Sequence, residues 1–213
     1  MQLKMKNQFQ KNWVKQKAIF SEKELNIKGF QVMQRWEDNY MKSLAAIATS
    51  RGGNVLEIGF GLGISATYIQ KSKKIKTHTI IECHPDVIKR AKTMFREEIR
   101  KKRLILKQGF WEDITPKIKS ASFDGILFDS SPLDKETVFF HYFPFFKEAY
   151  RLLKKDGVFT YFSDEATGFS NKHIRLLKKV GFKKINFKIC RVRPPKSCRY
   201  WKHKTIIAPI VIK

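Results

Sequence analysis

The stretch "NVLEIGFGLG", Asn54 to Gly63, constrains this chain more than any other. Its apolar run, broken only by Glu57, has the form of a strand buried on both faces. Gly59, Gly61 and Gly63 follow at once. A glycine-rich turn at the end of a buried strand lets a ligand approach the backbone closely, and such turns sit at the crevice of an open, parallel α/β sheet. The rest of the chain must then supply more strands, and helices to cover both faces.

It does so by alternation. "THTIIE", "RLILKQG", "FDGILFD" and "GVFTYF" are further short apolar runs. Helical patterns separate them: about 63–72, then "HPDVIKRAKTMFREEI" with Pro85 in its first turn, then the second half of "FFHYFPFFKEAYRLLKK". "NKHIRLLKKVGF" follows as a helix that Gly181 stops, and "KKINFKICRVR" and "RYWKHKTIIAPIVIK" read as two long strands around a "PPKS" turn. Ahead of the glycine turn, residues 13–28 look weakly helical. Residues 31–49 place Val32, Met33, Trp36, Tyr40, Met41, Leu44, Ala45 and Ala48 at helical steps. The expected fold is α/β and Rossmann-like, a seven-stranded, mostly parallel sheet with an antiparallel C-terminal strand at its edge and helices on both faces. This is the architecture of class I S-adenosylmethionine-dependent methyltransferases. Residues 1–30 are expected to form an N-terminal lid segment and 31–213 the methyltransferase domain.

Composition narrows the setting. With 213 residues, 42% hydrophobic and 30% charged, the chain is long enough for one well-filled core. No run approaches 18 apolar residues, and the N-terminus has no apolar secretory core, so a cytoplasmic location without a membrane span is expected. Cys83, Cys190 and Cys198 are scattered, which suits a reducing compartment, and no Cys or His pair has zinc-ligand spacing. The net charge is +25, and residues 171–213 hold 14 Lys and Arg with no Asp or Glu. Such a region attracts nucleic acid or an acidic protein, or is a solvated exterior in a lysine-biased chain. The oligomeric expectation is a monomer or homodimer.

An acid at the tip of the strand after the glycine turn accepts ribose hydroxyls; here that is Glu82, 23 residues beyond Gly59. The acid Glu57 ahead of the first glycine, and the C-terminal strand pair, favour S-adenosylmethionine over a dinucleotide. "GFWED", after the next strand, is placed to cover the adenine. Phe110 or Trp111 can stack on it and Glu112 or Asp113 can accept from its amino group, unless Trp111 is simply core. "FDSSPL" puts Asp129 at the switch point of the sheet, facing the methyl group to be transferred. Asp-x-x-Pro resembles the motif of enzymes that methylate base amines, but Leu133 stands where those carry a stacking aromatic. Upstream, "QRWEDNYMKSL" places Glu37 where it can approach Asp129 from the opposite wall. Two carboxylates across one small pocket suit a guanidinium, whose nitrogen also needs a carboxylate to take its proton as it attacks. A plainer alternative pairs Glu37 with Lys42 or Lys11 on a helix surface.

Taken in order, "VMQRWEDNYMKSLA", "NVLEIGFGLGISA", "IIECH", "GFWED", "FDGILFDSSPLDKET", "YRLLKKDGVFTY" and "PPKSCRYW" resemble the guanidinoacetate N-methyltransferase family from about Gly29 onward. The resemblance implies that Glu37 and Asp129 are the guanidino-binding carboxylates, with Asp129 as the base. It implies cofactor contacts at Met33, Met41, Phe60, Gly61, Leu62, Gly63, Ile64, Ser65, Glu82, Cys83, His84, Trp111 and Glu112, and a lid contact at Trp13. One departure follows "TYF", where the family has a longer segment that holds a substrate carboxylate. Here "SDEATGFSNK" places Asp164 and Glu165 nearby, so a substrate whose far end is an ammonium is expected, or these two acids are solvated. His141 is read as a packed histidine. A small guanidine such as guanidinoacetate, arginine or agmatine is the expected substrate. The alternatives are a protein arginine, RNA, or no catalysis at all.

Overall fold

The computed structural model describes residues 2–130 and 142–213, with 2–7 as backbone alone. His141, Pro132 and Leu133 lie outside the described residues.

The chain opens with helix α1 (Gln2–Lys15) and three short strands, β1 (Ala18–Phe20), β2 (Glu24–Ile27) and β3 (Phe30–Gln34), which form a small antiparallel sheet. The sequence pattern suggested helices over 13–28 and from 31. Instead the chain is extended through most of 18–34, because Leu25 and Ile27 alternate with more exposed neighbours and bury on one face of that sheet. Val32 and Met33 therefore lie on β3, whose last residue is Gln34, and the small sheet runs past residue 30. A single 3-10 turn, Arg35–Glu37, then leads into α2 (Asp38–Ala48).

The main domain alternates as expected: β4 (Gly53–Ile58), α3 (Ile64–Lys71), β5 (Ile75–Glu82), α4 (Pro85–Met94), α5 (Arg96–Arg100), β6 (Leu104–Gln108), α6 (Trp111–Ile114), β7 (Phe123–Phe128), α7 (Phe145–Leu152), β8 (Leu153–Tyr161), α8 (Asn171–Val180), β9 (Lys184–Arg191) and β10 (Thr205–Ile212). One expected long helix is split at Phe95, whose ring is buried against Phe60 at 6.1 Å and turns the chain there. The seven strands run in the order β6-β5-β4-β7-β8-β10-β9. β10 pairs antiparallel with both β8 and β9, so the antiparallel C-terminal strand is present, one place in from the edge. It cannot be outermost: β10 is buried almost throughout and needs a neighbour on each side, whereas β9 is mostly exposed.

Helix caps follow the local chemistry. His84 Nδ1 accepts from the Asp86 N–H and Pro85 opens α4; Ser170 Oγ accepts from the His173 N–H at the start of α8. Helix α2 lies on β7, β8 and β10, and Gly125 makes that close packing possible. A Cβ there would sit 1.8 Å from the Ala48 carbonyl oxygen. Tyr40, fully buried, donates to the Ile207 carbonyl at 3.0 Å and pins α2 over β10. Among the described residues no helix is long and apolar enough to cross a membrane.

Candidate active site

The strand order reverses at β4, which connects through α3 to β5 on one side and pairs with β7 on the other. Ligands bind at such a point, outside the carboxyl ends of the strands. The ends of β4 and β7 meet closely here. The Asp129 N–H donates to Ile58 O at 2.9 Å, and a Cβ on Gly59 would lie 2.0 Å from the Asp129 carbonyl oxygen. Gly59 (φ +85°) is thus required twice, by its left-handed backbone and by this approach. Gly61 and Gly63 complete the turn, and α3 begins at Ile64 with its N-terminus facing the crevice side of β4.

On the expected cofactor side two acids are held by groups of the chain itself. Glu82 is 8% exposed; its two oxygens accept from the Phe60 N–H (2.9 Å) and the His84 N–H (2.8 Å). A carboxylate has about four lone-pair directions, so two remain for a pair of vicinal hydroxyls. Glu57 is fully buried and accepts from Ser65 Oγ on one oxygen, while His78 Nε2 lies 2.9 Å from the other. Gln70 fixes the imidazole: its amide contacts His78 Nδ1 at 3.1 Å, and its own oxygen accepts from Arg103 Nε at 3.1 Å. That chain turns Nε2 toward Glu57.

The other predicted cofactor residues are distributed as follows. Met33 is buried with its sulfur 3.2 Å from the Leu62 N–H, Phe60 and Leu62 are buried, and Met41 is enclosed in the core. Ile64 and Ser65 are buried in the first turn of α3, and Cys83 is half-buried, its thiol pushed up chiefly by burial. Trp111 and Glu112 are half-buried on α6; the Trp111 ring stands edge-on to Phe145 at 5.1 Å and Phe128 at 6.1 Å, packed on the second core as well as beside the crevice. Trp13 is buried against Phe30. The segment behind it is tied to the cofactor strand's tip. His84 Nε2 bonds Gln16 O at 2.8 Å, and Asp86 accepts from the Ala18 N–H at 3.0 Å.

The substrate side is different. Glu37 is 2% exposed and makes no surface pair with Lys42 or Lys11. One oxygen accepts from the Gln34 N–H (2.7 Å) and from the Tyr200 hydroxyl. Burial outweighs these two bonds and raises its pKa to about 7. Asp129, half-buried, is held well above the ordinary carboxylate range, first by desolvation and then by the negative charges of Glu37, Glu57 and Asp164. These fields place Glu37 and Asp164 around Asp129. Asp164 has a left-handed backbone (φ 52°), uncommon for a residue with a side chain. Its neighbours pin it: Ser163 Oγ donates to Ile207 O at 2.8 Å, and Ile207 N–H donates to Glu165 O at 2.9 Å. Glu165 itself turns to α8, accepting from Ser170 N–H at 3.1 Å and contacting His173 Nδ1 at 3.3 Å. His173 is buried, and that burial lowers its pKa to about 4.

Two residues escaped the sequence reading. Tyr200 was only part of a turn and strand, yet its hydroxyl reaches Glu37 across 163 positions and its ring lies 5.9 Å from Trp36. His78 sits mid-strand, where nothing local marks it. An aromatic amid the basic "CRYW" run, and a histidine in an otherwise apolar strand, were the available signals.

A doubly wound sheet with this glycine turn, a ribose-type acid and an acidic pocket beyond it is a Rossmann-like S-adenosylmethionine-dependent methyltransferase. Solved structures agree in fold: a spermidine synthase from Thermotoga maritima (TM-score 0.64, 18% identity, 92% of this chain and 72% of that one) and an O-methyltransferase from Bacillus cereus with S-adenosylhomocysteine bound (TM-score 0.54, 16% identity, 84% and 82%). The family model of guanidinoacetate N-methyltransferase matches residues 2–213, and the chain belongs to that family. Among curated proteins it is similar to protein arginine N-methyltransferase 2 of Yarrowia lipolytica, 36% identical over 141 residues, covering 62% of this chain and 28% of that protein. The same-named protein of Saccharomyces cerevisiae is 30% identical over 150 residues, covering 62% of this chain and 32% of its own length. The chain thus spans about a third of these relatives.

Proposed function

We propose that this methyltransferase acts on the guanidino group of a small, cationic molecule. The observation that carries the reading is the pair Glu37 and Asp129: two carboxylates, both pushed toward the protonated form, near enough that the charge of Glu37 acts on Asp129, whose backbone lies against the Gly59 turn. A pocket that destabilises two negative charges is stabilised by a cation between them, and a planar guanidinium presents donors to both at once.

Glu82 would hold the ribose, the 59–65 turn the methionine end, and Trp111 with Glu112 the adenine. S-adenosylmethionine supplies the electrophilic methyl group. Glu37, fixed by Gln34 and Tyr200, orients the guanidinium. Asp129 takes the proton from the guanidino nitrogen and so frees its lone pair to accept the methyl group, whose bond to the sulfonium sulfur would break with its electrons going to sulfur. Burial serves this step, because a base with a raised pKa is a stronger proton acceptor. Asp164 adds a third negative charge beside the pocket, which favours an ammonium at the far end of the substrate, as in arginine or agmatine, over a carboxylate alone. Residues 1–30, latched through Gln16 and Ala18, act as a lid that excludes water.

A second reading, transfer to arginine within a protein, is favoured by the names of the curated relatives. The test is methyl transfer from labelled S-adenosylmethionine to guanidinoacetate, arginine, agmatine and an arginine-containing peptide in parallel, with mass analysis of products. Turnover of arginine or agmatine is expected. Turnover confined to the peptide would replace the small-molecule reading, and efficient turnover of guanidinoacetate would remove the role given to Asp164.

A further inference from the structure

A groove of about 710 Å³ lies between α4–α5 and β6, at the edge of the sheet farthest from the β9–β10 pair. Its floor is apolar: Ile99, Leu104, Ile105 and Leu106. Ile105 is 40% exposed, on a strand that among the described residues pairs only with β5. Its walls carry Lys89, Lys92, Arg96 and Lys102, and none of the lining residues is acidic. Lys102 holds a left-handed backbone (φ 56°) in the turn that brings the chain from α5 to β6. None of this serves the methyltransferase site.

We propose that this groove binds an extended, acidic segment of a partner protein, which adds as a strand to the free edge of β6. Three features select that occupant. The outer edge of β6 presents backbone donors and acceptors that only another extended chain can satisfy along its length. An apolar floor beside cationic walls suits a strand with one apolar and one acidic face: apolar side chains would meet Ile105 and its neighbours, and acidic ones the lysines and Arg96. The groove is also long and open. Lys89, Lys92 and Thr93 on α4 and Arg96 on α5 stand alongside a five-residue strand, a length that suits a short peptide. A second copy of this chain is disfavoured, since β6 against β6 would bring the same four cations together. Nucleic acid is disfavoured because the lining offers no aromatic ring on which a base could stack.

The experiment uses the full chain and a fluorescein-labelled octapeptide of alternating glutamate and valine, read by anisotropy. Saturable binding that weakens with salt is expected, with new amide-exchange protection within residues 105–107. The double variant Lys92→Glu, Lys102→Glu should weaken binding at least tenfold while S-adenosylmethionine binding, which reports the fold, is retained. The control Lys184→Glu, Lys188→Glu on β9 should bind as wild type. Equal binding of the same peptide with a central proline would overturn the strand-addition geometry. Equal loss in the β9 control would reduce the effect to net charge. Binding of single-stranded RNA or of phosphatidylserine vesicles that the α4–β6 variant abolishes, with no binding of the peptide, would assign the groove to those ligands and overturn the proposal.

Discussion

The two ends of the proposed active-site crevice treat negative charge in opposite ways. At the proposed cofactor end, Glu57 and Glu82 are deeply buried, yet each is held by groups of the chain: the Ser65 hydroxyl with His78 2.9 Å away for one, two backbone N–H groups for the other. At the other end, Glu37 has two donors on a single oxygen and is held toward protonation by burial, and Asp129 is held there by burial and then by the charge of Glu37. The cofactor end is finished before any ligand arrives. The substrate end is electrostatically incomplete, and what completes it is a cation. A site that stores such a deficit gives up stability in the free protein and recovers it on binding.

The largest expected effect removes the base. Asp129→Asn should lower turnover by roughly 10²–10⁴-fold, the usual contribution of general base catalysis. S-adenosylmethionine binding by calorimetry should stay near wild type; a parallel loss would place Asp129 in the cofactor site and erase the division between the two ends. Next, Glu82→Ala should weaken cofactor binding by roughly 10²-fold. It deletes a partner of ribose and orphans the N–H groups of Phe60 and His84, each worth about 1–3 kcal/mol when left buried and unpaired. The pH dependence of turnover should not move. A shifted profile in Glu82→Ala would mean that the two ends are coupled.

Glu37→Gln sharpens the comparison through stability. The folded pKa of Glu37, about 7, lies above its ordinary value of 4.5, so the folded state binds the proton more tightly. The stability this gives is fully present below pH 4.5 and is lost as pH rises through 7. The wild type should therefore lose on the order of 2–3 kcal/mol between pH 5 and 8 from this group. In Glu37→Gln, denaturant unfolding should show most of that slope gone and a more stable protein at pH 8. A steeper slope in the variant would contradict the burial account. The smallest effect is Tyr200→Phe. The Tyr200 hydroxyl lowers the Glu37 pKa against the larger pull of burial. Its loss should move the acidic limb of kcat/KM up by several tenths of a pH unit without changing cofactor affinity.

How much of this was legible in the sequence follows the same division. The glycine turn and its two acids were readable as a pattern, because Glu57 lies in the strand just ahead of the turn and Glu82 closes the next strand. The alternation from β4 to β10 was readable as a pattern in the same way. The β3 strand was read as helix because Val32, Met33 and Trp36 happen to fall at helical steps, while the pairing that makes it a strand comes from β2. The position of β10 inside the sheet depends on β8, some 50 residues away, and its antiparallel register has no local mark. The substrate end was legible as chemistry but not as geometry. Glu37 and Asp129 were named as a pair, yet the Tyr200 contact, the left-handed turn at Asp164 and the diversion of Glu165 to His173 are set by tertiary contacts. Glu57 was visible, but the Arg103–Gln70–His78 chain that holds it crosses three elements.

The central claim, that a cation completes the pair Glu37 and Asp129, is tested most directly by counting protons. Arginine or agmatine binding to the protein loaded with S-adenosylhomocysteine would be measured by calorimetry at pH 6.5 in buffers of different ionisation enthalpy. The account predicts net proton release on binding, because the arriving guanidinium forces the protonated fractions of both Glu37 and Asp129 to ionise, and a smaller release in Glu37→Gln. Binding with no proton release, and equal affinity in Glu37→Gln, would contradict it.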